Sequence, residues 1–206
     1  MIFNYLHGRN SIEEPEDRKQ FKRIIKYFKR WKDKQFNKND GRPTGISLTA
    51  CALEWLTVSK YYDYDSKCYA YEDIEAFKLF VQKMLNNFVY CYHENEFTER
   101  IKVNLPVTPY NDLFIKMKNS QMKVFKEKLT HLKNTLKEAQ AESDIKKACG
   151  KLNAVFGEDF WIPEDISAEQ VNNDFKKDGI SIVSKTSGMG LGVVNRGGFH
   201  GERTDI

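Results

Sequence analysis

The chain has 206 residues and a formal net charge of +4, and its 40% hydrophobic and 13% aromatic residues are sufficient for a hydrophobic core. Its apolar runs are far shorter than a membrane-spanning helix needs, and no secretory signal pattern is present at the N-terminus. The four cysteines are scattered without the spacing of a metal site or a disulfide framework. We therefore expect a cytoplasmic protein without a membrane partner.

Apolar residues recur at spacings of three and four over five stretches, which predicts a mainly α-helical protein. The predicted helices cover residues 16–36, 44–58, 72–92, 121–141 and 143–156. Gly41 and Pro43 end the linker after the first helix, and Thr44 or Ser47 is expected to cap the second.

The segments between these helices are interpreted from their composition. Tyr61–Tyr71 is rich in tyrosine and aspartate, which favours a loop, and the prolines of Ile101–Tyr110 favour an extended segment. Beyond Pro163 glycine becomes frequent and large apolar residues become rare. Residues 166–206 are therefore predicted to form an extension that is flexible from about residue 184.

The first predicted helix carries a concentration of positive charge. Between positions 18 and 34 a single acid, Asp33, accompanies nine basic residues: Arg18, Lys19, Lys22, Arg23, Lys26, Lys29, Arg30, Lys32 and Lys34. Helical spacing places Lys22, Lys26 and Lys29 on one face, where like charges repel and a polyanion such as a triphosphate relieves the repulsion. The alternative is an ordinary solvated basic face.

The segment Arg42–Thr49 is a second candidate for anion binding. Gly45 lies between the hydroxyl residues Thr44 and Ser47 at the expected start of a helix, where backbone N–H groups are available to an anion. A capped helix without any ligand is the alternative interpretation.

Other motifs are weaker. Asp63 and Asp65 have the spacing of a magnesium-binding pair, but no Gly-Ser phosphate motif precedes them. Gly188–Gly192 lacks the lysine and hydroxyl residue of a phosphate-binding loop, and Cys91 and His93 have no evident partner ligands. The isolated histidines, His7, His131 and His200, do not form a catalytic group.

Four segments in this order resemble the C-terminal half of bacterial cGAS/DncV-like nucleotidyltransferases (CD-NTases), which make cyclic di- and trinucleotide signals in anti-phage defence. They are Phe21–Asp33, Arg42–Thr49, Val103–Asp112 and Phe156–Phe160. The basic helix and the following turn are also similar to oligoadenylate synthetases. The resemblance implies that residues 16–165 are the helical lobe of a nucleotidyltransferase-type α+β fold.

The resemblance also implies roles for particular residues. Lys29 matches the lysine that reaches the donor phosphates, and Lys26 matches a second basic position in the oligoadenylate synthetases. The phosphate-contacting turn falls at Thr44 or Gly45, with Ser47 beside it, and Asp112 matches an acid near the nucleobase. ATP and GTP are the implied ligands, and defence-operon accessory proteins are possible partners.

The family's catalytic residues, a Gly-Ser turn followed by an Asp-x-Asp pair and a third aspartate, are not found before these segments. Residues 1–15 are therefore interpreted as the remnant of a connection to a catalytic lobe. The chain is expected to be a fragment, one half of a split gene or a degenerate copy. It is expected to hold no magnesium, which the complete enzyme needs, and to be inactive alone. The alternative is a non-enzymatic helical module that binds RNA or a protein through its basic helix.

Overall fold

The computed structural model describes residues 14–37, 41–158 and 160. Within these residues five helices are accompanied by two small hairpins, so this part of the chain is mainly helical. The elements are α1 (Pro15–Gln35), α2 (Gly45–Trp55), β1 (Lys60–Asp63), β2 (Cys68–Tyr71), α3 (Asp73–Asn86), β3 (Val89–His93), β4 (Glu96–Arg100), α4 (Asn119–Ala141) and α5 (Ile145–Phe156).

Helix α1 lies at the centre of the helical packing and contacts α2, α3 and α5, while α4 packs against α3 and α5. The apolar stripe of α1 is buried as its spacing predicts, with Ile24, Phe28 and Trp31 at most 1% exposed. Phe28 stacks on Trp31 at 5.3 Å between ring centroids and meets Phe77 of α3 edge-on at 5.6 Å. This aromatic core fixes the direction of α1 and therefore the positions of its basic side chains.

The helix ends agree with the predicted ones to within a few residues in four of the five cases. Pro15 begins α1, and the Asp17 carboxylate accepts from the Glu14 N–H at 3.2 Å, which completes the first turn. Helix α2 begins after Thr44, so Thr44 rather than Ser47 is the N-cap. Helices α4 and α5 confirm the predictions for residues 121–141 and 143–156.

The prediction of a loop at Tyr61–Tyr71 is wrong, because these residues form the antiparallel β1–β2 hairpin. Lys60 pairs with Tyr71 and Asp63 with Cys68, and Lys67 adopts a positive φ of 52° in the connecting turn. Tyrosine favours strands because its ring packs against cross-strand neighbours, as in the Tyr62–Tyr69 pair at 5.5 Å.

The predicted helix at residues 72–92 is also wrong at its end, since α3 stops at Asn86 and a hairpin follows. Strand β3 pairs with β4, with Val89 opposite Arg100 and Tyr92 opposite Phe97. Glu94 and Asn95 connect the strands with positive φ values of 50° and 65°, the signs of a type I′ turn, which is common in two-residue hairpins.

Of the predicted connection at residues 1–15, residues 1–13 lie outside the described residues, and Pro15 already belongs to α1. The predicted extension at residues 166–206 also lies outside the described residues. None of the helices between residues 14 and 158 that the structure describes combines the length and apolar composition needed to cross a lipid bilayer.

Candidate anion-binding site

The N-terminus of α2 is built by reciprocal bonds between Thr44 and Ser47. The Ser47 N–H donates to Thr44 Oγ1 at 3.1 Å, and the Ser47 hydroxyl donates to the Thr44 carbonyl at 2.8 Å. The Leu48 N–H also donates to that carbonyl. The N–H groups of Gly45 and Ile46 have no acceptor among the described residues, so they remain at the positive end of the helix.

Lys29 of α1 reaches this helix end. A Cβ atom added to Gly45 would lie 3.6 Å from the Lys29 Cε, so the lysine stem passes over the glycine. Lys29 is half-buried, and it forms neither a hydrogen bond nor an ion pair with any residue in the described ranges. The structure therefore brings together two features that the sequence shows separately, a lysine and a glycine at a helix start.

Several other basic residues of α1 have structural partners. Arg23 forms two bonds of 2.6 and 2.8 Å with the Asp73 carboxylate, and Arg30 donates to the Phe156 carbonyl at 2.8 Å. Lys19 pairs with Glu16 at 2.6 Å. Lys26 is exposed and, like Lys29, has no bonded partner in the part of the chain that the structure describes. The positive charge of α1 is thus divided between side chains with bonded partners and residues such as Lys26 and Lys29, of which Lys29 lies beside Gly45.

Asp33 joins α1 to the turn that precedes α2. Its Oδ1 lies 3.0 Å from Arg42 Nη1 and 2.9 Å from Lys32 Nζ. Sequence reasoning noted Asp33 only as the single acid of a basic stretch, and it assigned no role to Arg42. The sequence feature that could have indicated a role for Asp33 is its position as the single carboxylate among nine basic residues.

Asp112, the predicted nucleobase contact, closes the loop that precedes α4. Its Oδ1 accepts from the Phe114 N–H at 3.0 Å and from the Val103 N–H at 3.4 Å. Residue 112 also forms an isolated β-bridge with Asn104. The structure describes all of Ile101–Tyr110, the segment predicted to be extended, and this bridge is the single β-pairing that the segment forms there.

The thiol of Cys51 is buried in the middle of α2. Burial is the largest cause of the raised pKa of the Cys51 thiol, and the charges of Asp112 and Glu54 add to it. Because Cys51 comes six residues after Gly45, it lies about 9 Å further along the helix axis. No contact among the described residues joins Asp112 to Lys29 or Thr44.

The weaker candidates have local partners. Asp63 accepts from the Asp65 N–H at 3.1 Å and from the Ser66 hydroxyl at 2.8 Å, which stabilises the β1–β2 turn. His93 Nδ1 lies 2.9 Å from Asn119 Oδ1. Within residues 14–37, 41–158 and 160, no group of three or more potential ligands is arranged to hold a metal ion. Gly188–Gly192, His7 and His200 lie outside the described residues.

Comparison of the sequence with protein-family models gave no match, and comparison with curated proteins gave no significant one. The resemblance to CD-NTases therefore depends on the four sequence segments alone.

Proposed function

We propose that the chain binds the triphosphate of ATP or GTP at the N-terminus of α2, with Lys29 as the principal cation. In this proposal it is the helical part of a nucleotidyltransferase that makes cyclic di- or trinucleotide signals in anti-phage defence. Two of the four segments that carry the resemblance, Phe21–Asp33 and Arg42–Thr49, contribute residues to this one site.

The observation that supports the proposal best is the position of the Lys29 stem over Gly45, 3.6 Å from where a Cβ would stand. An anion at this point meets a helix dipole, an ammonium group and two N–H groups that have no acceptor in the part of the chain that the structure describes. Half-burial of Lys29 reduces solvent screening and strengthens a charge-assisted bond to phosphate.

The remaining predicted residues receive different roles. Lys26, three residues before Lys29 and exposed, is proposed to contact an outer phosphate. Ser47 is fully buried and its hydroxyl is bonded to Thr44, so it supports the cap rather than the ligand. The backbone of Thr44 and Gly45 would form one edge of the phosphate site. Asp112 would use its second carboxylate oxygen to accept from the Watson–Crick edge of a guanine.

Nucleotidyl transfer needs carboxylates that hold magnesium against the triphosphate. The proposal assigns these carboxylates to a separate catalytic half, and it assigns phosphate and base positioning to the described residues. Positioning of this kind contributes a large part of phosphoryl-transfer catalysis.

The test is calorimetric titration of the 206-residue chain with ATP, GTP, inorganic triphosphate and a single-stranded RNA. We expect nucleotide binding that inorganic triphosphate displaces and that weakens with added salt. RNA binding with no affinity for the nucleotides or for triphosphate would overturn the proposal. That outcome would favour the alternative, a non-enzymatic module that uses the exposed basic side chains of α1, such as Lys26.

A further inference from the structure

Asp33 has an unusual position for a residue near an anion site, because it is itself negative. Its Oδ1 contacts Lys32 at 2.9 Å and Arg42 at 3.0 Å, and its side chain is 50% exposed. Exposed ion pairs of this kind contribute little to global stability. The main physical consequence of the Asp33–Arg42 pair is therefore local, since it attaches the turn before α2 to the surface of α1.

The segment before α2 meets α1 at two points that have similar spacing along both segments. Asp33 follows Lys29 by one helical turn, so both side chains leave the same face of α1. Arg42 meets Asp33, and Gly45, three residues later, meets the Lys29 stem. Residues 42–45 therefore lie along α1 in the opposite chain direction, held at one end by an ion pair and with the Lys29 stem beside the other end.

We propose that Asp33 is a positioning residue for the triphosphate site. By holding Arg42, it keeps the Gly45 and Ile46 N–H groups at the start of α2 beside the Lys29 ammonium, so that both meet the same anion. Asp33 itself contacts no ligand. This inference rests on the proposed function, and it adds the element that aligns the two halves of the site.

The sign of the charge makes the role testable. A carboxylate near a bound anion repels it, so neutralising a carboxylate that acts only through its charge strengthens anion binding. Neutralising a positioning carboxylate weakens binding, because the helix end and the lysine lose their alignment. Asp33→Asn therefore strengthens anion binding if Asp33 acts only through its charge, and weakens it if Asp33 is a positioning residue.

Inorganic triphosphate is the probe, titrated into the full chain at fixed low salt. We expect Asp33→Asn to weaken binding about threefold to fivefold, the range that an exposed ion pair supports. Asp33→Glu, which retains the acid, should bind close to wild type. The matched control is Glu16→Gln, the same charge change on the same helix in an exposed pair with Lys19, and it should not weaken binding.

The Arg42→Gln background isolates the pair. Arg42→Gln alone should weaken binding, and adding Asp33→Asn should cause no further loss because the anchor is already absent. Tighter binding by Asp33→Asn in the wild-type background, or binding equal to that of Glu16→Gln, would overturn the inference.

A second measurement needs no ligand. The Ser47 and Leu48 amides donate to Thr44, so their hydrogen exchange reports how well the start of α2 is held. We expect faster exchange at these amides in Asp33→Asn than in Glu16→Gln. If wild type fails to bind triphosphate, the proposed function fails, and the exchange still decides whether Asp33 holds the start of α2. Unchanged exchange would refute that role.

Discussion

Gly150, inside α5, and Gly157, the C-cap of the same helix, should respond in opposite directions to substitution by alanine. Gly157 ends α5 with φ +96° and ψ 173°, a region that residues with a side chain rarely adopt. A Cβ added there would lie 3.0 Å from Arg30 Nη2 and 3.3 Å from Lys34 Cδ. Gly150 lies inside the same helix, and a Cβ added to it would have no neighbour within 4 Å.

The expected magnitudes follow from these environments. Gly157→Ala should destabilise the protein by about 1–3 kcal/mol, the cost of holding a residue with a side chain in a sparsely populated backbone region. The Arg30 bond to the Phe156 carbonyl, at 2.8 Å, would be disturbed as well. Gly150→Ala should stabilise by about 0.5–1 kcal/mol, because alanine loses less backbone entropy than glycine in a helix interior.

The assay is equilibrium urea unfolding followed by far-ultraviolet circular dichroism at neutral pH. The two variants share the chemical change and differ by seven positions, so Gly150→Ala controls for the added methyl group. We expect the unfolding midpoints to move apart, Gly157→Ala lower and Gly150→Ala higher than wild type. If Gly157→Ala matches or exceeds wild-type stability, the end of α5 does not have the described conformation, and its connection to α1 would need revision.

Two further predictions concern buried groups. Asp17 is fully buried and accepts from Lys60 at 2.7 Å and from the Tyr71 hydroxyl at 2.6 Å. Burial, the largest single effect, raises the pKa of Asp17, but the hydrogen bonds together outweigh it and hold that pKa below its usual value. A lowered folded-state pKa gives stability that is present above the unfolded pKa of about 3.9 and is lost as pH falls through the folded one. Asp17→Asn should therefore cost about 1.5–3 kcal/mol at pH 7 and flatten the acid side of the urea stability profile, and an unchanged profile would contradict the network. Among the cysteines, a thiol reagent should modify the exposed Cys68 first. Burial raises the pKa of the Cys51 and Cys149 thiols, so these two should react only on unfolding. Rapid labelling of Cys51 in the native protein, located by peptide mapping, would show that α2 is not packed as described.

The sequence predicted the helices well where a single face is buried. In α1 the stripe of Phe21, Ile24, Phe28 and Trp31 is buried, and the spacing of these residues alone identified the element. The β1–β2 hairpin was missed because Tyr62 and Tyr69 are 42% and 55% exposed, so no buried face produced an alternating pattern. The second hairpin depends on the backbone of Glu94 and Asn95, which composition does not reveal.

The sequence predicted only part of the candidate site, because tertiary packing decides which of its groups meet. Lys29 and Gly45 were both selected from their local patterns, but their proximity results from the packing of α1 against α2. The Asp33–Arg42 pair joins a residue of α1 to a residue of the linker that follows it, and the packing of α1 against α2 brings the two together. Local patterns therefore identified the chemistry, and tertiary structure decided which groups meet.

Triphosphate affinity of a Lys29→Ala variant tests the central claim most directly. The loss of one charge-assisted bond in a half-buried position corresponds to about 1.5–3 kcal/mol, or about tenfold to a hundredfold weaker binding of ATP or GTP. Lys29→Arg should restore only part of the affinity, because a planar guanidinium does not reproduce a compact ammonium. The control is Lys19→Ala, which removes the same charge from an exposed position on α1 paired with Glu16 at 2.6 Å. By calorimetry, Lys19→Ala should bind nearly as wild type does, and equal affinity of the two alanine variants would show that Lys29 is only part of a solvated basic face.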